Sequence, residues 1–214
     1  MGESEKLLGG VVHRNLKWTE HLLHGPDSVI KKLSNRLSAI KQSNFADFKT
    51  RKMMTNGLFM SKIVYLMPLW DGCQKFIINT LQVMQNRAAR YVTKDSVYTP
   101  TKSLLVQCGW LSVYQMVFFH TVVLFYKTRQ NKVPSVLYNM ASSDFTYPTR
   151  EKTKGNFKVL SGSGIPSALA EQSFRWRSVE MWNKLPVEIK SKKNIQEFKK
   201  SLKAWISQHI NIHP

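Results

Sequence analysis

Carboxylates are scarce in this chain. Its 214 residues include 13 Asp or Glu against 32 Lys or Arg, a formal net charge of +19. The aspartates Asp27, Asp47, Asp71, Asp95 and Asp144 are scattered, and no two are adjacent. A magnesium-dependent nucleotidyl transferase needs clustered carboxylates to hold metal ions against phosphates, so the chain by itself is not expected to be an enzyme. Phe45-Ala-Asp-Phe48 approaches the aromatic-Ala-Asp-Asp turn of polymerases. Its fourth position is Phe and its context is helical, so Asp47 reads as a helix-start charge favoured by the dipole. Cysteine is nearly absent too. Cys73 and Cys108 alone exclude a disulfide framework and a paired-cysteine zinc motif, which points to a reducing compartment, nucleus or cytoplasm. The histidine pairs His21/His24 and His209/His213 lack a nearby third ligand, so no metal is expected. Gly9-Gly10 and Ser161-Gly-Ser-Gly164 lack the lysine and spacing of a phosphate loop. No apolar leader opens the chain, so secretion is not expected. The longest apolar runs are broken by Lys62 and His120, so no membrane span is expected. Neither a cofactor nor a small-molecule substrate is implied.

Apolar and basic residues make up the balance. Hydrophobic residues are 43% of the chain, with six Trp and eleven Phe, enough to build a core. The positive excess is spread along the sequence instead of gathered in a tail. A folded scaffold with basic faces follows, and its polyanionic partner is nucleic acid ahead of a membrane or an acidic protein.

The expected fold class is all-α, mainly a helical bundle, with a short N-terminal β-hairpin and a C-terminal helical hairpin. Leu7-Leu-Gly-Gly-Val-Val12 reads as a strand with a glycine bulge, a turn near Arg14-Asn15, then an extended Leu16-Lys-Trp18. Asp27 or Ser28 caps a helix whose stripe is Ile30, Leu33, Leu37 and Ile40. A second helix runs from about Phe45 to Tyr65. Its small residues Gly57 and Ser61 would let another helix approach closely. A third begins near Lys75. Thr99-Pro-Thr101 starts a short helix with Thr at the cap and Pro at the first position. Gly109-Trp-Leu-Ser112 turns into a nearly continuous apolar helix, Val113 to about Thr128, of the kind that is buried on most sides. Pro134–Tyr138 adds a short helix. Composition changes at Ala141, and Ser142–Gly164 reads as a linker with an extended piece near Phe157-Lys-Val-Leu160. Ser173–Lys184 is helical. Asn194-Ile-Gln-Glu197 has the form of a capping box opening the last helix. The expected organisation is therefore 1–24 hairpin, 25–141 helical bundle, 142–172 linker and 173–214 helical hairpin.

The third helix organises the rest. Leu81, Met84, Ala88, Tyr91 and Val92 share one face at 3.6-residue spacing, while Arg87, Arg90 and Lys94 fall at i, i+3 and i+7 on the opposite side. One helix thus has a core side and a cationic side. A second basic group, Lys190, Lys192, Lys193, Lys199, Lys200 and Lys203, crowds the turn and flanks of the C-terminal hairpin, whose last helix is expected to pack Phe198, Leu202 and Trp205 on Trp182 and Phe174.

Several stretches together resemble the C-terminal part of reverse transcriptases encoded by non-long-terminal-repeat retrotransposons of the Jockey and chicken-repeat kind. Leu7–Val12 continuing to Leu16-Lys-Trp-Thr-Glu-His21 is similar to the strand and turn that end the palm. Asn56-Gly-Leu-Phe-Met-Ser-Lys-Ile-Val-Tyr65 and Leu81–Arg90 resemble thumb helices. Thr99-Pro-Thr101 with Gly109-Trp-Leu-Ser-Val113 resembles the segment after the thumb. Ser173-Phe-x-x-Arg177, Trp182-Asn-Lys-Leu-Pro186 and Phe198-Lys-x-x-Leu202 are similar to the family's closing motif. The resemblance implies a chain without the fingers and the palm aspartates, a truncated or domesticated remnant of an RNA-directed DNA polymerase. It implies contacts to the backbone of RNA or an RNA–DNA duplex, which need cationic helical faces and no base readout. Arg87, Arg90, Lys94, Lys192, Lys193, Lys199, Lys200 and Lys203 are the candidate nucleic-acid-binding residues. The missing palm and fingers of the parent polymerase are a further possible partner. Two alternatives remain open: a helical protein-interaction or scaffold module, and a transposon-derived product without function.

Overall fold

The computed structural model describes residues 4–14, 18–135, 137, 141–142, 154–159 and 171–210. They form a mostly helical protein with a short N-terminal two-stranded hairpin and C-terminal helices, the expected class. Two compact units divide the chain, one up to Met116 and one from Val117 to Ile210. Composition instead changes at Ala141, so residues 117–135 belong with the C-terminal helices and not with the preceding bundle.

The hairpin pairs β1 (Ser4–Leu7) with β2 (Gly10–His13) in antiparallel register, Leu7 opposite Gly10. Leu8 and Gly9 take left-handed φ of 47° and 78°. Two consecutive positive φ values make the tight turn whose twist matches paired strands. Leu7–Val12 is therefore the hairpin itself and not one bulged strand. The expected strand at 16–18 lies mostly outside the described residues, Trp18 excepted. The Val11 N–H donates to His21 Nδ1 at 3.2 Å and the Tyr65 hydroxyl donates to the Leu8 carbonyl. Asp27 takes Lys6 at 2.8 Å and Lys32 at 3.1 Å, and these partners hold its carboxyl at about 2.

Helix α1 (Val29–Lys41) is capped by Ser28, whose Oγ accepts from the Lys31 N–H at 3.4 Å. Its buried stripe is Val29, Leu33, Leu37 and Ile40. Ile30 is only half-buried, displaced from the core by Val29 one residue earlier. Helix α2 (Phe48–Thr55) starts at its cap Asp47, whose Oδ1 accepts from the Thr50 N–H at 3.1 Å. It runs through a π-turn (Asn56–Met60) into α3 (Ser61–Val64). A Cβ on Gly57 would meet nothing within 4 Å, so among the described residues no helix uses the small-residue gap expected at Gly57 and Ser61.

Helix α4 (Lys75–Thr93) buries Ile77, Leu81, Met84, Ala88, Tyr91 and Val92. Helix α5 (Thr101–Cys108) begins with Pro100 at the cap, one residue later than expected from Thr99. It ends on Gly109 at φ 64°, with the Trp110 N–H donating to Leu105 O at 2.9 Å, a left-handed termination that glycine adopts without steric cost. Helix α6 (Val113–Arg129) follows, with Ser112 Oγ accepting from the Gln115 N–H at 3.2 Å. The elbow between α5 and α6 leaves backbone groups that α4 satisfies. Gln85 Nε2 donates to Leu111 O at 2.8 Å, and Gln82 Oε1 accepts from the Val113 N–H at 2.8 Å. Two glutamines on the apolar side of α4 are buried for that reason. Among the described residues no single helix is long and apolar enough to cross a membrane.

The second unit is built on aromatic rings. Helix α7 (Phe174–Asn183) is capped by Ser173, α8 (Val187–Lys190) follows Pro186, and α9 (Ile195–His209) is capped by Asn194. The Asn194 cap accepts from the Gln196 N–H at 2.7 Å. Trp182 stacks on Phe198 at 5.9 Å, Tyr126 on Phe198 at 4.1 Å, and Phe125 meets Trp182 at 5.4 Å. The Arg129 guanidinium lies 4.8 Å from the Trp182 ring and 4.9 Å from Phe157. The Tyr126 hydroxyl donates to Lys193 O at 2.7 Å. These α6 rings are why the unit begins at Val117. Two expectations are corrected. Trp205 packs on Phe118 and stacks with His209, instead of on Trp182. Lys190 is buried, and its ammonium donates to Asn156 Oδ1, Lys154 O and Asn183 O. It ties the chain before β4 (Lys158–Val159) to α7 and α8. That strand pairs with β3 (Ala141–Ser142). The rest of the expected linker and most of the helix at 134–138 lie outside the described residues.

Candidate nucleic-acid interface

The C-terminal ends of α1 and α4 meet in the first unit. The Tyr91 hydroxyl, on the buried face of α4, donates to Ile40 O at 2.8 Å and to Ser43 O at 3.3 Å. Arg51, buried on α2, donates through Nε and Nη2 to Val92 O at 3.1 and 2.8 Å and through Nη1 to Ala46 O. One tyrosine and one arginine therefore bond carbonyls where α1, the following loop and α4 run out. The positive guanidinium also suits the negative end of α4.

An open depression of about 420 Å³ lies at this meeting point, lined by Lys41, Asn44, Arg87, Arg90, Tyr91, Asp95 and Val97. Lys41 ends α1 and Asn44 follows it in the loop. Arg87 and Arg90 come from α4, Asp95 and Val97 from the turn beyond it. Arg87 is exposed, its guanidinium 3.9 Å from the Met84 sulfur. Arg90 is half-buried and donates through Nη2 to Val97 O at 3.3 Å, which holds the turn. Arg90 Nε and Asp95 Oδ2 are buried without a hydrogen-bond partner among the described residues.

Three cationic side chains thus face one carboxylate around the opening. An anion entering there meets a net positive field at short range.

The eight sequence candidates are placed unequally. Arg87 and Arg90 come together in the depression as their spacing implied. Lys94 leaves the row: it terminates α4 in a left-handed conformation with φ 60° and is exposed, so it no longer continues the helical face. Lys192, Lys193, Lys199, Lys200 and Lys203 belong to the second unit. Lys192, Lys193, Lys200 and Lys203 are exposed and Lys199 is half-buried. Lys41 and Asn44 were missed, because nothing in the local pattern of α1 ties them to α4; the Tyr91 hydroxyl does.

Asp47 is engaged as the α2 cap, and its acceptance of the Thr50 hydrogen bonds lowers its pKa below the usual carboxylate value. His21 is buried with Nδ1 accepting from Val11, and burial lowers its pKa. Among the described residues no group of three or more His, Cys, Asp or Glu side chains is placed to hold a metal ion. His213 lies outside them. No family model matches the chain, and comparison with curated proteins and with solved structures finds no match.

Proposed function

We propose that this chain is a non-catalytic nucleic-acid-binding module that holds the phosphate backbone of RNA or of an RNA–DNA duplex. One observation carries the reading: Lys41, Arg87 and Arg90 line a single open depression with one carboxylate among them, in a chain of net charge +19. Backbone binding needs cations held in register and no base contacts. The hydrogen bonds of Tyr91 and Arg51 supply that register by fixing the ends of α1 and α4. The resemblance to the thumb and closing region of retrotransposon reverse transcriptases points the same way.

The test is the salt dependence of binding, followed by fluorescence anisotropy with labelled RNA. Lys41→Gln with Arg87→Gln should weaken binding to all sequences alike. The slope of log affinity against log salt should fall in magnitude by about 2, roughly one counterion per lost phosphate contact. Arg90 is left intact because it also holds the 95–98 turn. An unchanged slope in a folded double variant would show that the depression is only a solvated surface. A helical scaffold for another protein would then be the better reading.

A further inference from the structure

Among the described residues, the two most exposed large apolar side chains are Tyr98, 91% exposed, and Phe45, 90% exposed. They are far apart in sequence, yet each adjoins a residue lining the cationic depression. Phe45 follows Asn44, and Tyr98 follows Val97. Consecutive Cα atoms are about 3.8 Å apart, so the backbones of both residues adjoin its lining, and their side chains are open to solvent.

Neither ring sits on a free end. The loop under Phe45 is held by the Ala46 N–H donating to Ser43 O at 3.1 Å, by the Tyr91 hydroxyl on Ser43 O at 3.3 Å and by Arg51 on Ala46 O. The turn under Tyr98 is held by its own N–H donating to Ser96 Oγ at 3.3 Å, by the Thr99 N–H on Ser96 O at 3.1 Å and by Arg90 on Val97 O at 3.3 Å. Rings of this size are ordinarily buried because their exposure forfeits hydrophobic free energy. Here the bonds that hold the loops around the cationic depression also hold the backbone beneath two rings left in water.

We infer that the depression binds a single-stranded segment of nucleic acid, with Lys41, Arg87 and Arg90 on its phosphates and Phe45 and Tyr98 stacking against its unpaired bases. Exposed aromatics beside a basic groove are what a single strand requires, since every base has a π-face and a duplex hides it. The tolerance of stacking to base identity implies little sequence preference. This inference rests on the backbone-binding reading and narrows it from nucleic acid in general to the unpaired strand.

The experiment uses the whole chain and three probes of equal length: a uridine oligonucleotide, an abasic oligonucleotide with the same backbone, and a blunt RNA duplex. Phe45→Ala and Tyr98→Ala should each weaken uridine-strand binding roughly tenfold. The salt slope should stay unchanged and duplex binding unaltered. Wild-type protein should bind the abasic strand about as weakly as the double alanine variant binds the uridine strand. Both side chains are exposed, so thermal unfolding should not move. Binding of all three probes with equal affinity, insensitive to Phe45→Ala and Tyr98→Ala but sensitive to Arg87→Gln, would overturn the single-strand inference and leave the backbone reading standing. Absence of salt-dependent binding to any probe would overturn both.

Discussion

Trp182→Ala should remove the centre of the second unit. Trp182 is fully buried, with 0% of its surface exposed. It stacks on Phe198 at 5.9 Å, meets Phe125 at 5.4 Å, donates its indole N–H to Gly155 O at 3.0 Å and carries the Arg129 guanidinium at 4.8 Å. Truncating a buried aromatic to alanine costs about 3–5 kcal/mol, including the residual cavity. The lost indole hydrogen bond is worth about 0.5–1.5 kcal/mol, and the desolvated cation–π contact up to about 2 kcal/mol. These contributions overlap, because Arg129 keeps Phe157 and the site partly collapses, so about 4 kcal/mol is the expected loss. For a unit of roughly 90 residues, Val117–Ile210, that lowers the melting temperature by about 15–30 °C. Trp182→Phe is the control. It keeps a stacking ring, loses the N–H donor, and should cost only about 1–2 kcal/mol. Thermal unfolding followed by far-ultraviolet circular dichroism reads both. Loss of less than about 1 kcal/mol in the alanine variant, or equal losses in the two, would refute the aromatic-core account.

Two further predictions concern titrating groups. Burial holds the imidazoles of His21 and His120 below their ordinary 6.5, with neighbouring lysines acting in the same direction. The unfolded chain therefore takes up protons that the folded chain resists, so stability is full above about pH 6.5 and falls as the pH drops below it. The urea midpoint should be lower at pH 5 than at pH 7.5, and His21→Gln with His120→Gln should shrink that difference; equal midpoints for the wild type would contradict the account. Cys108 is fully buried, and burial pushes its thiol up to about 11. Iodoacetamide at pH 8 should therefore label the half-buried Cys73 first and reach Cys108 only after denaturation, since the thiolate is the reactive form. Mass spectrometry showing two labels on the native protein would refute this.

Much of the architecture was legible without coordinates, because it depends on short-range rules. The 3.6-residue period of Leu81, Met84, Ala88 and Val92 marks the core side of α4, and that side is buried. Ser28 and Asn194 cap helices as expected, because a short polar side chain can bond a free N–H without leaving its own backbone; Asp47 and Ser173, read only as helix-start residues, do the same. Where the rule was local but finely balanced, the position slipped. Leu8-Gly9 turns where a bulge was expected, and Pro100 takes the cap expected at Thr99.

Sequence alone determined the helical class, the excess of positive charge and the pairing of Arg87 with Arg90, since composition and period act over a few residues. Only the tertiary structure decided which cations share a site. Lys41 joins Arg87 because the Tyr91 hydroxyl reaches back to Ile40, a bond across 51 residues. Lys190 is a buried strut instead of a surface charge because Asn156 and two carbonyls surround its ammonium. Phe45 and Tyr98 adjoin one depression through their neighbours Asn44 and Val97, because hydrogen bonds from Arg51, Arg90 and Tyr91 hold their two loops against the ends of α1 and α4. Periodicity carries no information about such contacts. A residue's sequence neighbours set its helix face, but the unpaired carbonyls it must satisfy come from elsewhere in the chain.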